Sequence, residues 1–270
     1  MSDPVSLRVR TWNIAHGMDV PPMREGYRHE RRKHLDEMAR LMVQDVPDLV
    51  LLQEVPVWAG PLLHQLTGMG VTLAPAYGAH VPFVHVPLPL AVGAAVGRAL
   101  PDLVRTQFEG QANAVLYGAG LLLVSARRAQ VNEHRRFRGE PRIAQLVRLR
   151  HRAAGREFVL ANVHLDPGDN REQVERTGYL LERFARGAPM ILGGDVNAPA
   201  NSPGVRGLVQ RGWIEDSSAL DARIDHIFVR GFRMDGQSTP WDSTRREIRR
   251  EGALPIRLSD HDPVDAVISW

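Results

Sequence analysis

The chain of 270 residues contains no cysteine. Disulfides, a thiolate metal site and a thiol nucleophile are therefore excluded. Lysine is almost as scarce. Lys33 is the single one, so nearly all the positive charge sits on arginine, which stays protonated across the accessible pH range. No apolar run is suited to crossing a membrane. The longest, residues 81–104, is interrupted by Pro82, Pro87, Pro89, Arg98, Pro101 and Asp102. The first residues lack a basic segment followed by an apolar one, so no signal peptide is expected and the cytoplasm is the default compartment.

What is present is the composition of a globular protein, 43% hydrophobic and 24% charged. With 34 basic residues against 31 acidic ones, the net charge of +3 is a weak argument for a polyanionic partner. No linker, low-complexity tract or internal repeat divides the chain. One domain over residues 1–270 is expected, a monomer by default.

Short apolar runs recur, and many end on polar residues able to do chemistry. Leu7 to Trp12 alternates like a half-buried strand and ends at Asn13. Helical spacing over residues 27–46 stops at Pro47, and Leu49 to Leu52 then delivers Gln53 and Glu54. Further strands are expected over 114–117, 120–124 and 143–150, and a helix over 171–186. Phe158 to Val163 leads to His164, and Met190 to Gly194 leads to Asp195. Residues 223–229 carry Asp225, and the strand 264–269 follows Asp260 and His261. Strands outnumber helices, which points to an α/β chain of two mixed or mostly antiparallel sheets packed face to face with helices outside. Polar groups at successive strand ends would then gather along one rim.

Glu54, Asp195 and Asp260 all border strands. Converging carboxylates repel one another, so such a cluster needs a cation or protons. Oxygen ligands without cysteine favour a hard ion, Mg²⁺ or Mn²⁺. Asn13 and Asn197 offer neutral amides suited to a water or a phosphate oxygen. A hydrogen bond from His261 to Asp225 would fix the tautomer of His261 and make it a better base. His164 is placed to stabilise or protonate a phosphate. Each residue alone is more often a turn former, a cap or a structural histidine. The argument rests on the ensemble.

That ensemble resembles the endonuclease/exonuclease/phosphatase superfamily, which includes DNase I-like nucleases, neutral sphingomyelinases and inositol polyphosphate phosphatases. The matching segments are Thr11-Trp12-Asn13, Leu51-Leu52-Gln53-Glu54-Val55, Asn162-Val163-His164, Gly194-Asp195-Val196-Asn197, Arg223-Ile224-Asp225-His226-Ile227 and Ser259-Asp260-His261-Asp262-Pro263-Val264. They follow the family's order from residue 11 to 264. The resemblance implies a four-layer α-β-β-α sandwich with its site at one edge of the two sheets. It implies Glu54 as principal metal ligand supported by Asn13 and Asp260, and His261 as general base oriented by Asp225. It also implies Asp195 and Asn197 as the pair that positions water and phosphate.

The match is partial around Glu109 to Tyr117, where Asn113 is balanced between a phosphate-facing residue and a strand-edge polar group. Arg135, Arg136, Arg138 and Arg142 form one basic cluster, and Arg245, Arg246, Arg249 and Arg250 another. Each is either a phosphate-binding surface or a solvated face, with Phe137 and Trp241 the nearest aromatics. The apolar stretch 81–104 is read as a packed insertion ahead of a lipid-touching loop. The expected activity is hydrolysis of a phosphodiester, with nucleic acid ahead of phospholipid. The alternatives are a phosphatase acting on inositol phosphates or another small phosphate, and a binding module on the same fold.

Overall fold

The structure is a computed structural model that describes residues 5–20, 31–78, 80–81, 86–87, 89–100, 110–132, 140–215, 222–249 and 255–270. The first part of the chain forms β1 (Ser6–Asn13), α1 (Arg31–Met42), β2 (Leu49–Pro56), α2 (Gly60–Thr67), β3 (Gly70–Gly78), α3 (Leu90–Ala99) and β4 (Gly110–Tyr117). The rest forms β5 (Leu121–Gln130), β6 (Ile143–His151), β7 (Glu157–His164), α4 (Arg171–Ala185), β8 (Met190–Asp195), α5 (Pro203–Gln210), β9 (Asp225–Arg230) and β10 (Val264–Ser269). Shorter strands are given by their residues.

One sheet runs in the order Arg233–Met234, β10, β1, β2, β4, β3, with Thr239–Pro240 also on β10. The other runs Ile214–Glu215, β9, β8, β7, β6, β5. Within each of these two sheets one pair is parallel, β1 with β2 and β7 with β8, and the remaining pairs are antiparallel. A parallel pair needs a crossover connection. α1 makes the first and α4 the second, each laid on the outer face of its sheet.

Three apolar layers account for the stacking. Leu51, Val115, Phe158, Leu160, Ile191 and Ile227 meet between the sheets. Trp12, Leu35, Met38, Leu52 and Leu63 seal α1 and α2 onto the first sheet, and Val159, Leu181, Leu192, Leu208 and Phe228 seal α4 and α5 onto the second. A strand covered on both faces loses its alternation, which is why Leu49 to Leu52 reads as a continuous apolar run. The four layers are those of the DNase I-like fold expected from the sequence.

α1 begins at Arg31 among the described residues, with 27–30 lying outside them, and it ends short of Val46. Asp45 and Val46 adopt left-handed backbone that turns the chain into Pro47. The described part of the apolar stretch 81–104 contains α3, whose Gly97 lies so close to Trp58 that a Cβ would sit 2.4 Å from the indole. Only that glycine face of α3 is packed, since Leu90, Val92, Val96 and Leu100 are exposed, so the packed-insertion reading holds for one face alone; 82–85, 88 and 101–104 lie outside the described residues. No described helix is long and apolar enough to cross a membrane.

Toward the strand ends the layer between the sheets changes from apolar side chains to amides. Asn162 on β7 donates through Nδ2 to the carbonyls of Leu52 and Ala114 across the interface, both at 2.9 Å. Its Oδ1 accepts from Gln53 Nε2 at 2.7 Å. This buried network pins the two sheets together directly behind the rim that carries the polar strand ends.

Candidate active site

Register places the reactive groups. β1 and β2 set Asn13 beside Gln53, β7 and β8 set His164 beside Asp195, and β9 sets Asp225 opposite Asp195. Glu54 leaves this regular pattern. Its φ is +51°, and the pairing of β2 with β4 slips between Leu52 and Val55. Such a bulge re-aims a side chain. The cleft so formed has a volume of about 250 Å³ and is lined by His16, Glu54, Gln111, Glu140, Arg142, His164, Pro167, Asp195, Asn197 and His261.

Oδ2 of Asp195 is the hub. It accepts from Asn13 Nδ2 at 3.0 Å, and it lies 3.6 Å from His164 Nε2 and 3.7 Å from His261 Nε2. Asn13 Nδ2 also reaches Glu54 Oε1 at 3.2 Å, while Oε2 of Glu54 lies 3.4 Å from His16 Nε2. His261 Nδ1 is hydrogen-bonded to Asp225 Oδ2 at 2.7 Å. Asn197 has left-handed backbone, φ +54°, a conformation asparagine tolerates well. Its N–H donates to Asp195 Oδ1 at 3.0 Å, and its Nδ2 donates to the Leu165 carbonyl at 2.9 Å.

The loop bearing His261 is held from several sides. Ser259 Oγ donates to the Asn13 carbonyl at 2.6 Å and accepts the His261 N–H at 3.1 Å. Trp12 Nε1 donates to the His261 carbonyl at 3.0 Å. Arg246 is buried, donates to the carbonyls of Leu258 and Ser259, and pairs with Asp262 at 2.6 Å.

Burial and the neighbouring Asp225 push the Asp195 carboxyl up to about 7. Burial of His261 works against its charged form, but the hydrogen bond and charge of Asp225, with Asp195 and Asp260 behind, outweigh it and raise the imidazole to about 9. Burial and then the charge of Arg142 hold His164 well below the usual histidine range, so its ring is neutral at pH 7.

No cysteine competes, and the donors facing the cleft are chiefly oxygens. Asp195, Asp225 and His261 offer ligand atoms within 4.8 Å of one another, an arrangement able to hold a metal ion. Oδ1 of Asp225 is buried without a hydrogen-bond partner among the described residues. Converging carboxylates, with the buried Asp195 pushed up to about 7, are what a hard divalent cation relieves, so the residues fit one.

Of the residues singled out in the sequence, Asn13, Glu54, His164, Asp195, Asn197, Asp225 and His261 meet at this cleft. Asn113 does not line it. That residue is buried between the sheets, donating to the carbonyl of Asn162 at 3.0 Å. Asp260 is exposed and also outside the lining, though its charge reaches His261. His16, Gln111 and Glu140 were not foreseen, and Arg142 was seen only as part of a basic cluster. Their spacing carries no signal, because each reaches the cleft from a turn or from a strand that starts or ends beside it.

In the second basic cluster, Arg245 pairs with Asp45 at 2.8 Å and stacks on Trp241, Arg246 is buried, and Arg249 is exposed. Arg250 lies outside the described residues, as do Arg135, Arg136, Phe137 and Arg138.

Residues 11–261 match the Endonuclease/Exonuclease/phosphatase family. No curated protein matches the sequence. Among solved structures, an endonuclease/exonuclease/phosphatase family protein from Bacteroides thetaiotaomicron is 18% identical with a TM-score of 0.74, over 99% of this chain and 96% of that one. A mannosyl-6-phosphatase of the same organism is 19% identical with a TM-score of 0.72, over 98% and 100%. The human nocturnin catalytic domain with bound sulfate is 18% identical with a TM-score of 0.65, over 98% and 94%. At such identities the likeness is one of fold.

Proposed function

The chain belongs to the endonuclease/exonuclease/phosphatase family of hydrolytic phosphoesterases, and from that premise we propose that it cleaves a small phosphate ester by in-line attack of water on phosphorus. The observation that carries this reading is the Asp225–His261 pair, joined at 2.7 Å, with His261 Nε2 turned to within 3.7 Å of Asp195 Oδ2 in a cleft shared with Glu54.

Glu54 and Asn13, with Asp195 beside them, would hold a hard divalent cation, Mg²⁺ or Mn²⁺, which when bound would supply Lewis-acid charge and, by its own charge, lower the pKa of the neighbouring His261. Asp225 fixes His261 with Nδ1 protonated, which leaves Nε2 to take the proton of the attacking water. Asp195 orients that water together with Asn197, whose backbone N–H it accepts. His164 acts as a neutral hydrogen-bonding partner of the phosphate rather than as its acid.

The sequence reading put a nucleic-acid diester first. Its support among the described residues is reduced, because Arg245 is already paired and Arg246 holds the His261 loop from within. A small ester also suits the modest size of the cleft. The diester reading persists through Arg135, Arg136 and Arg138, and nicking of plasmid DNA in Mg²⁺ by the wild type but not by His261→Ala would favour it. The general test uses p-nitrophenyl phosphate and bis-p-nitrophenyl phosphate with Mg²⁺ or Mn²⁺. His261→Ala should lose about 100-fold or more of the turnover while remaining folded. Turnover close to wild type would remove His261 from the mechanism.

A further inference from the structure

Arg142 is the single permanently charged cation among the described residues lining the cleft. It stands just before β6, where its backbone N–H donates to Asn132 Oδ1 at 2.8 Å. Its Nε donates to Asp166 Oδ1 at 2.8 Å. An arginine–carboxylate pair often closes as a two-pronged fork. Here that form is blocked, because Asp166 Oδ2 already accepts from Asn132 Nδ2 and Gln173 Nε2, each at 3.0 Å. The guanidinium is therefore anchored by one nitrogen. Nη1 lies 3.1 and 3.2 Å from the ring nitrogens of His164 and 3.5 Å from Glu140 Oε2. Nη2 has no hydrogen-bond partner among the described residues. Glu140 is itself fixed, accepting from Gln111 Nε2 at 2.8 Å and from Tyr77 at 3.2 Å. The result is a rigidly mounted cation with donors left over, beside the histidine assigned to the phosphate.

We propose that Arg142 is the specificity-determining residue of this site, binding the terminal oxygens of a phosphomonoester and so selecting monoesters over diesters. The proposal rests on the phosphoesterase reading above. At neutral pH a monoester carries between one and two negative charges and three terminal oxygens. A diester carries one charge, and a second organic group is attached to one of those oxygens, which leaves two terminal ones. A preorganised guanidinium fork therefore gains more from the monoester, in charge and in number of hydrogen bonds.

The test compares wild type, Arg142→Gln and Arg142→Lys on p-nitrophenyl phosphate and bis-p-nitrophenyl phosphate with Mg²⁺. Inorganic phosphate serves as competitive inhibitor, and its binding is also followed through the Arg142 Nε–H resonance. The wild type is expected to prefer the monoester. Arg142→Gln should lower kcat/KM on the monoester about 100-fold and on the diester about tenfold or less. Inhibition by phosphate should weaken in parallel, and the Nε–H resonance of the wild type should shift on adding phosphate. Arg142→Lys, which keeps the charge without the fork, should recover part of both effects and serves in place of Arg142→Gln if that variant does not fold. Equal losses on the two esters, unchanged phosphate inhibition, or a wild type that prefers the diester would each overturn the assignment and leave the phosphoesterase reading standing. A wild type that hydrolyses neither ester would overturn both.

Discussion

Glu54 is the residue at which backbone and chemistry are most plainly in conflict. A non-glycine residue in left-handed backbone carries about 1 kcal/mol of strain, and here the strain buys the direction in which the carboxylate points. Glu54→Gly should therefore resist urea better than Glu54→Ala by about 1 kcal/mol, with both variants inactive. Equal stabilities would mean that the bulge, not the residue, sets the conformation. His261 yields a second expectation for the metal-free protein. Its imidazole should keep its proton up to about pH 9 in an NMR titration, and Asp225→Asn should bring the midpoint down. A midpoint unmoved by Asp225→Asn would mean that the hydrogen bond does not govern the proton. Most of the residues that meet at the cleft were legible because each ends or borders an apolar run. Arg142 and His16 were not, because nothing local distinguishes an arginine before a strand from one on a solvated face. Arg246 was misleading for the same reason, since composition records its charge but not its burial.

At the level of elements, the strands were easier to foresee than the pieces between them. β2, β7 and β8 are covered on both faces and so announce themselves as apolar runs, whereas α3 is built on small residues and its Gly97 makes sense only against Trp58. The junction of β7 with β8 depends on Gly194. Its φ is +135°, and a Cβ there would fall 2.1 Å from the Val163 carbonyl oxygen. Gly194→Ala should force β8 away from β7, costing about 3 kcal/mol or more in urea denaturation. It should also cut turnover, because Asp195 is the next residue. A variant of wild-type stability would show that the strands can separate there without cost.

For the whole molecule, the site is a place where unneutralised charge is buried, and pH should expose that. The pKa of His261 in the fold lies above its unfolded value, so its contribution is complete below about 6.5 and is lost as pH rises through about 9. Asp195 is also raised, to about 7, so ionising it works against the folded state as pH rises from about 4 through that value. Both groups act in the same direction. The melting temperature of the metal-free protein should fall between about pH 5 and about pH 9, and Mg²⁺ should raise it more at the alkaline end. A Mg²⁺ effect independent of pH would argue that the ion binds away from Asp195 and His261. The pairing that closes the first sheet has a further consequence. β1 lies against β10, with Ser6 opposite Ser269, and Ser259 grips the carbonyl of Asn13 across 246 residues of chain. Contacts so distant in sequence form slowly, and synthesis delivers one partner well before the other. A nascent chain on the ribosome thus carries Glu54, His164 and Asp195 long before it has His261 beside them. The cleft is complete only once the segment bearing His261 has been made and β10 has paired with β1.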